Sequence, residues 1–260
     1  MISLHCFTYP KRGNTMNDYE DAFFYTINKS SSQKSPINTD SPYRIAIADG
    51  ATESSFAAEW AWLLVHEYVN NPFTSAKDIQ NRIQDLSNQW NDYIKTKKLA
   101  WYAEEKVSTG AFSTVLGLEL KFQATSFANG GLWSAIAVGD SCLFQVRRNS
   151  LVYAFPIEKS QEFNNSPALI SSNLERNVPV WTHVLLRSGE WKSGDEFYLL
   201  TDAIAAWFLN ECEKGLRPWQ TLIKFSQDGE DNITFGKWID SIRAQSKLKN
   251  DDVTCIIITV

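Results

Sequence analysis

The residues best suited to chemistry are aspartates that close apolar runs. Ile45-Ala46-Ile47-Ala48 ends in Asp49-Gly50, Ala135-Ile136-Ala137-Val138 in Gly139-Asp140-Ser141, and Phe197-Tyr198-Leu199-Leu200 in Thr201-Asp202. Two more strand-like runs begin just after acids: Ala22 follows Glu20-Asp21, and Val253 follows Asp251-Asp252. If these strands share one sheet system, several carboxylates gather at one edge. Carboxylates placed together repel and resist ionisation unless a cation compensates. The donors would all be oxygen, with no His or Cys cluster nearby, which suits Mg²⁺ or Mn²⁺ and disfavours zinc or copper. Two such ions would bridge a water, lower its pKa and aim it at a phosphorus atom. Any one of these aspartates alone reads as a turn or helix-cap residue, because Asp favours both places. The metal reading rests on the whole set.

The elements that must position these acids are read from periodicity. Ile2 to Phe7, Ala22 to Ile27 and Tyr43 to Ala48 read as strands. A helix with Thr52 as cap carries Phe56, Trp60, Leu63, Leu64 and Tyr68 on one face, and a longer one is expected from about Ser75 to Lys106. Strands follow over Ala111–Phe122, Trp133–Val138, Leu143–Arg147 and Leu151–Phe155, with Asn129-Gly130-Gly131 as a hairpin turn. Residues Pro156 to Pro179 read as irregular. After the strand Glu196–Leu200 come helices over Ala203–Glu213, Pro218–Phe225 and Ile233–Gln245, then a closing strand, Val253–Val260. Helices and strands do not alternate strictly, so an α+β layered domain is expected rather than a doubly wound parallel sheet. No linker divides the 260 residues, so one domain over 1–260 is expected.

Composition narrows the function. The chain carries 25 Lys+Arg against 30 Asp+Glu, a formal net charge of −5. That balance argues against nonspecific nucleic-acid binding. No apolar run approaches the roughly 18 residues that span a bilayer. Met1 to Pro10 lacks the basic-then-apolar pattern of a signal peptide, so a cytoplasmic location is expected. The four cysteines are scattered, with neither disulfide-framework nor zinc spacing.

The order of motifs resembles the metal-dependent protein serine/threonine phosphatases, the PPM or type 2C family, in its bacterial form. The chain offers Glu20-Asp21-Ala22-Phe23, Ala48-Asp49-Gly50, Gly110-Ala111-Phe112-Ser113-Thr114, Val138-Gly139-Asp140-Ser141, Leu200-Thr201-Asp202-Ala203 and Asp251-Asp252-Val253-Thr254. The resemblance implies a four-layer α-β-β-α sandwich, two antiparallel sheets flanked by helices, with a variable flap near 156–180. It implies that Asp49 bridges two Mg²⁺ or Mn²⁺ ions and that the Gly50 carbonyl ligates one of them. Asp202 and Asp251 would complete one site, Asp21 or Glu20 would contribute directly or through water, and Asp140 would help hold a weaker third ion. The implied reaction is in-line attack by a metal-bridged hydroxide on phosphoserine or phosphothreonine, with Asp49 and Asp21 as its central carboxylates. A phosphoprotein would be the substrate and a serine/threonine kinase the antagonist.

The pattern departs from the family at three places. Ala203 replaces a usual Gly, which a helical backbone there would tolerate. Ala51 stands where some members have His. Met16 stands where the family often has a phosphate-binding Arg, leaving Arg12, with Lys11 beside it, as the candidate for that task. Asp231-Asn232-Ile233-Thr234 spells the closing motif more literally than Asp251-Asp252-Val253-Thr254. A helix-like segment follows it, so Asp231 reads as a helix cap and Asp251 as the ligand. Two other readings of the same residues are a catalytically silent sensor or scaffold that binds a phosphoprotein, and a small-molecule phosphatase or phosphodiesterase.

Overall fold

The computed structural model describes residues 2–26, 42–97, 107–122, 130–164, 166–227 and 232–260. In chain order, the strands of the first half are β1 (Ser3–Tyr9), β2 (Ala22–Tyr25), β3 (Tyr43–Ala48), β4 (Phe112–Ser113), β5 (Val115–Phe122) and β6 (Gly130–Val138). Those of the second half are β7 (Cys142–Arg147), β8 (Ser150–Phe155), β9 (Ile170–Ser171), β10 (Leu185–Lys192), β11 (Glu196–Leu200) and β12 (Val253–Thr259). The α-helices are α1 (Ala57–Asn70), α2 (Ala76–Lys95), α3 (Asp202–Glu213), α4 (Trp219–Gln227) and α5 (Asn232–Ala244).

Two five-stranded antiparallel sheets form the centre, ordered β1-β12-β11-β7-β8 and β10-β6-β5-β3-β2. Side chains alternate across each strand, so each sheet has an inner and an outer apolar face. Ile45, Ile47 and Leu116 meet Leu143, Leu199 and Ile256 between the sheets. On one outer face Ala46, Ala48 and Ile136 pack against Trp60 and Leu64 of α1 and Ile83 and Trp90 of α2. On the other, Phe144, Tyr198 and Ile257 pack against Phe208 of α3, Leu222 of α4 and Ile239 of α5. Both faces of β3 are thereby covered, which is why Ile45 to Ala48 is a continuous apolar run rather than an alternating one. The result is the expected α-β-β-α sandwich. Among the described residues no helix is long and apolar enough to cross a membrane.

Local expectations are corrected at several points. α1 begins at Ala57, not at a Thr52 cap. The Ala51 N–H donates to the Phe112 carbonyl at 2.9 Å, and Phe56 precedes the helix with a φ of 58°, so the chain leaves β3 through an irregular turn. The single strand expected over Ala111–Phe122 is split at Thr114, whose N–H donates to the Asp49 carbonyl at 2.9 Å. β10 was not anticipated at all. Within Pro156–Pro179 the short strand β9 pairs with β4, and the Trp60 indole donates to the Ile170 carbonyl at 2.8 Å. α2 ends at Lys95, with Thr96 as its cap, short of the expected Lys106, and Gly130 and Gly131, expected in a turn, open β6. Residues 98–106, Asn129 and Asp231 lie outside the described residues.

Candidate metal centre

Strand pairing decides where the acids go. In one sheet Ala22 of β2 faces Ala48 of β3, so Asp21 and Asp49 emerge side by side. In the other, Leu200 of β11 faces Cys255 of β12, so Asp202 and the Asp251-Asp252 pair emerge side by side. Gly139 and Asp140 join β6 of the first sheet to β7 of the second, and Cys142 faces Leu200 there. All five junctions fall at the same end of the sandwich.

Hydrogen bonds hold the two sheets in register at that end. The hydroxyls of Thr201 and Thr254 donate to Asp21 Oδ2 at 3.0 and 2.8 Å, and the Thr254 N–H donates to Thr201 Oγ1 at 2.9 Å. Asp21, which belongs to one sheet, is thus gripped by the other. The Asp49 N–H donates to Thr114 Oγ1 at 2.9 Å, and that oxygen lies 2.9 Å from the Ser141 hydroxyl, beside Asp140. Asp252 spends both oxygens on the N-terminal segment: Oδ1 accepts from the Lys11 N–H at 2.7 Å and Oδ2 from the Glu20 N–H at 2.8 Å. Of the adjacent acids, Asp252 is the clamp, while Asp251 Oδ2 meets the Lys249 ammonium at 2.8 Å.

Gly50 forms a bridge with Ser113. A Cβ there would stand 2.5 Å from the Glu20 carbonyl oxygen and 3.0 Å from Ala57 Cβ, so only glycine lets the three segments approach this closely. Glu20 is paired with Lys11, whose Nζ also donates to Thr52 Oγ1 at 2.8 Å. Asp202 is the first residue of α3, where its carboxylate benefits from the helix dipole. Ala203 is buried within the same helix, as its helical reading required. Met16 is 55% exposed in a short 3₁₀ turn. Arg12 is exposed, its backbone N–H donates to Asn250 Oδ1, and its guanidinium makes no ion pair among the described residues. The structure therefore brings the Lys11 side chain to the acidic end, while among the described residues the Arg12 guanidinium makes no ion pair with the acids there.

The acids raise one another's affinity for protons. Burial, then the charges of Asp21, Asp202, Asp251 and Asp140, hold the Asp49 carboxyl well above the usual range. Burial raises Asp21 too, with Asp252 and Asp202 adding to it against the Thr254 and Thr201 hydrogen bonds. Burial and Asp202 push Asp140 up to about 7. Burial and Asp251 raise Asp202, against Lys249. Groups whose folded pKa is raised contribute stability below their unfolded values, and that stability is lost as pH rises through the folded ones. The metal-free fold is therefore expected to weaken from about pH 4, the ordinary carboxylate value, through the Asp140 value of about 7. Thermal melts in chelator should show a lower Tm at pH 8 than at pH 6, and excess Mn²⁺ should flatten that slope. A Tm in chelator that rises over this interval would contradict the mutual repulsion.

The donors fit a hard divalent cation. They are all oxygen, Asp21 Oδ1 is buried without a hydrogen-bond partner, and one cation already sits among them. The Lys249 ammonium lies 3.1 Å from Asp202 Oδ2 and 2.8 Å from Asp251 Oδ2. Among the described residues, however, no three acidic, His or Cys side chains stand close enough together to form a ready-made cage. Asp49, Asp21, Asp202, Asp251 and Asp140 are the side chains that could hold ions, with Glu20 at the rim behind its pair with Lys11. Thr114, Ser141, Thr201, Thr254, Asp252 and Lys249 were not anticipated as site residues. The first five belong to the quoted motifs; Ser141, Thr201 and Asp252 stand immediately beside a candidate ligand, Thr254 stands three residues after Asp251, and Thr114 had no such neighbour.

Solved structures share this architecture. The photosystem II phosphatase PBCP matches over 100% of this chain and 99% of its own, with a TM-score of 0.57 and 13% identity. The catalytic domain of the serine threonine protein phosphatase PstP, solved with two manganese ions, matches over 100% and 99%, with a TM-score of 0.53 and 12% identity. RsbX, solved with magnesium, matches over 99% and 94%, with a TM-score of 0.50 and 15% identity. No curated protein matches the chain by sequence. The family model described as protein phosphatase 2C matches residues 33–234, a span that includes Asp49, Asp140 and Asp202 and leaves Glu20, Asp21 and Asp251 outside it. With most of the chain matched by that model, and with paired sheets that carry acids to one end, the chain belongs to the protein phosphatase 2C family.

Proposed function

We propose that the chain is a Mg²⁺- or Mn²⁺-dependent phosphoprotein phosphatase acting on phosphoserine and phosphothreonine, opposed by a serine/threonine kinase. The observation that carries this reading is the gathering of Asp21, Asp49, Asp140, Asp202 and Asp251 at one end of the two sheets, with burial and mutual charge raising four of them. Asp49, Asp202 and Asp251, with Asp21 and the Gly50 carbonyl, would hold two ions, and Asp140 a weaker third. When bound, the ions would lower the pKa of a shared water and neutralise charge on the phosphoryl group.

The chain's own residues supply positioning. Thr201 and Thr254 fix the Asp21 carboxylate, and Asp252 fixes the segment that carries Glu20. Lys11, at the rim beside Glu20 and Thr52, is the basic group best placed to meet an incoming phosphate. The segment 156–180 would act as the flap within a single catalytic domain. Ser160 and Phe163 line a cavity of about 330 Å³ together with Asp202, Trp207 and Lys249, so that segment borders the acidic end.

The test is hydrolysis of para-nitrophenyl phosphate and of a phosphothreonine peptide in EDTA, Mg²⁺ and Mn²⁺. Turnover is expected with either metal and none in EDTA. The lack of a ready-made cage among the described residues and the exposed Met16 favour one other reading, a silent sensor that binds phosphoprotein without turnover. Folded, metal-loaded protein that binds the phosphopeptide and releases no phosphate would establish that reading instead.

A further inference from the structure

Lys249 precedes Asp251 by two residues and pairs with two of the candidate ligands at the acidic end. Its Nζ contacts one oxygen of Asp202 and one of Asp251, at 3.1 and 2.8 Å. These acids come from different elements, the start of α3 and the turn before β12. No other basic side chain pairs with either of them among the described residues. The two acid side chains are 15% and 26% exposed, while that of Lys249 is 57% exposed, so the ammonium is fixed at its tip and its stem is open to solvent. A divalent ion shared by Asp202 and Asp251 needs the oxygens that Lys249 now holds. The other oxygen of each acid is already engaged, Asp202 Oδ1 by the Ala203 N–H and Asp251 Oδ1 by the Asp252 N–H, so an ion would meet the ammonium at the same oxygens, and at such short range the two positive charges repel.

We propose that Lys249 is a tethered competitor for the metal. Its ammonium holds the Asp202–Asp251 pair when no divalent ion is bound, and must swing out before an ion can enter. The inference rests on the metal-centre reading above. Two consequences follow from linkage, which makes the effect of each cation on the other reciprocal. Lys249 weakens metal affinity at this site, and it spares the metal-free fold the repulsion of two adjacent carboxylates.

The test is calorimetric titration with Mn²⁺ of the native chain, Lys249→Met, Lys249→Arg and Lys247→Met, with melting temperatures in chelator. Lys247 lines the same cavity and carries the same charge, but makes no ion pair with the acids among the described residues. Lys249→Met should tighten Mn²⁺ binding about tenfold, within the range that couplings between sites span, and should lower the metal-free Tm. Lys249→Arg should keep the weak affinity, and Lys247→Met should shift it by less than about twofold, as expected of a screened surface charge. In the native chain labelled with ¹⁵N-lysine, Mg²⁺ should move the Lys249 ammonium resonance, which reads the displacement without any substitution. Equal affinity of native and Lys249→Met, equal shifts from the two methionine variants, or an unmoved resonance at saturating Mg²⁺ would each overturn the competition while leaving the metal centre standing. No Mn²⁺ binding by any variant would remove the metal centre and the competition together.

Discussion

Asp49→Asn is expected to remove metal-dependent turnover while raising the stability of the metal-free fold. Asp49 sits where β3 ends, and burial together with Asp21, Asp202, Asp251 and Asp140 already resists its ionisation. An amide keeps the shape and the backbone contacts to Thr114 and Ser113 but removes the charge that would bind a cation. Loss of one preorganised electrostatic element in an active site costs about 10²–10³ in kcat, and a group proposed to hold both ions would belong at the upper end. The same change relieves like-charge repulsion, so Tm in chelator should rise, in the usual trade between activity and stability at such sites. Phosphopeptide assays in Mn²⁺ and melts in EDTA check both halves. Near-native turnover by Asp49→Asn would remove Asp49 from the centre.

The neighbouring acids Asp251 and Asp252 are expected to separate cleanly by phenotype. Asp252 is 4% exposed and ties down the Lys11 and Glu20 N–H groups. Alanine there leaves two backbone donors without their acceptor, each costing about 1–3 kcal/mol. A loss of about 3 kcal/mol is expected after some relief of charge repulsion, or on the order of 8 °C in Tm for a chain of this size. Asp251 instead pairs with the half-exposed Lys249, and such surface pairs contribute about 1 kcal/mol or less. Asp251→Asn should therefore melt close to the native chain and lose about a hundredfold in turnover, as expected of a charge lost from the reacting centre. Melts must be run in chelator, because bound metal would add its own stabilisation. An Asp252→Ala variant that melts normally but is inactive would exchange the two assignments.

Much of the architecture was legible in the chain. Alternation and apolar runs marked β1, β2, β3, β6, β7, β8, β11 and β12 to within a few residues, because a sandwich strand must show an apolar side to a neighbour on at least one face. The helices α3, α4 and α5 were legible for the same reason at the helical period. β10 was not. Its residues Leu185 to Ser188 are all exposed, since it is an edge strand with a neighbour on one side only, so burial imposed no pattern. The early start given to α1 failed because Thr52 and Glu53 look like a helix entry, whereas tertiary pairing of Ala51 with Phe112 delays it. Propensity yields to such pairing.

The acids and their order along the chain are properties of sequence alone. So are the glycine after Asp49 and the hydroxyl residues beside the acids, since each is tied to a local strand end. What those hydroxyls do was decided only by the tertiary structure. Thr201 and Thr254 bind Asp21, 180 positions away in one case and 233 in the other, and no local pattern records such a contact. The same holds for the division of labour between Asp251 and Asp252, which are chemically identical in the chain. Only the approach of the Lys11 and Glu20 backbone makes one a clamp. It holds for Lys249 as well, whose charge reads as ordinary surface until α3 and β12 bring two carboxylates to it. Sequence specified the donors, through strand ends and turn chemistry. Strand pairing and the register between two sheets specified which of them lie together, because that depends on distances across strands and layers that local periodicity does not encode.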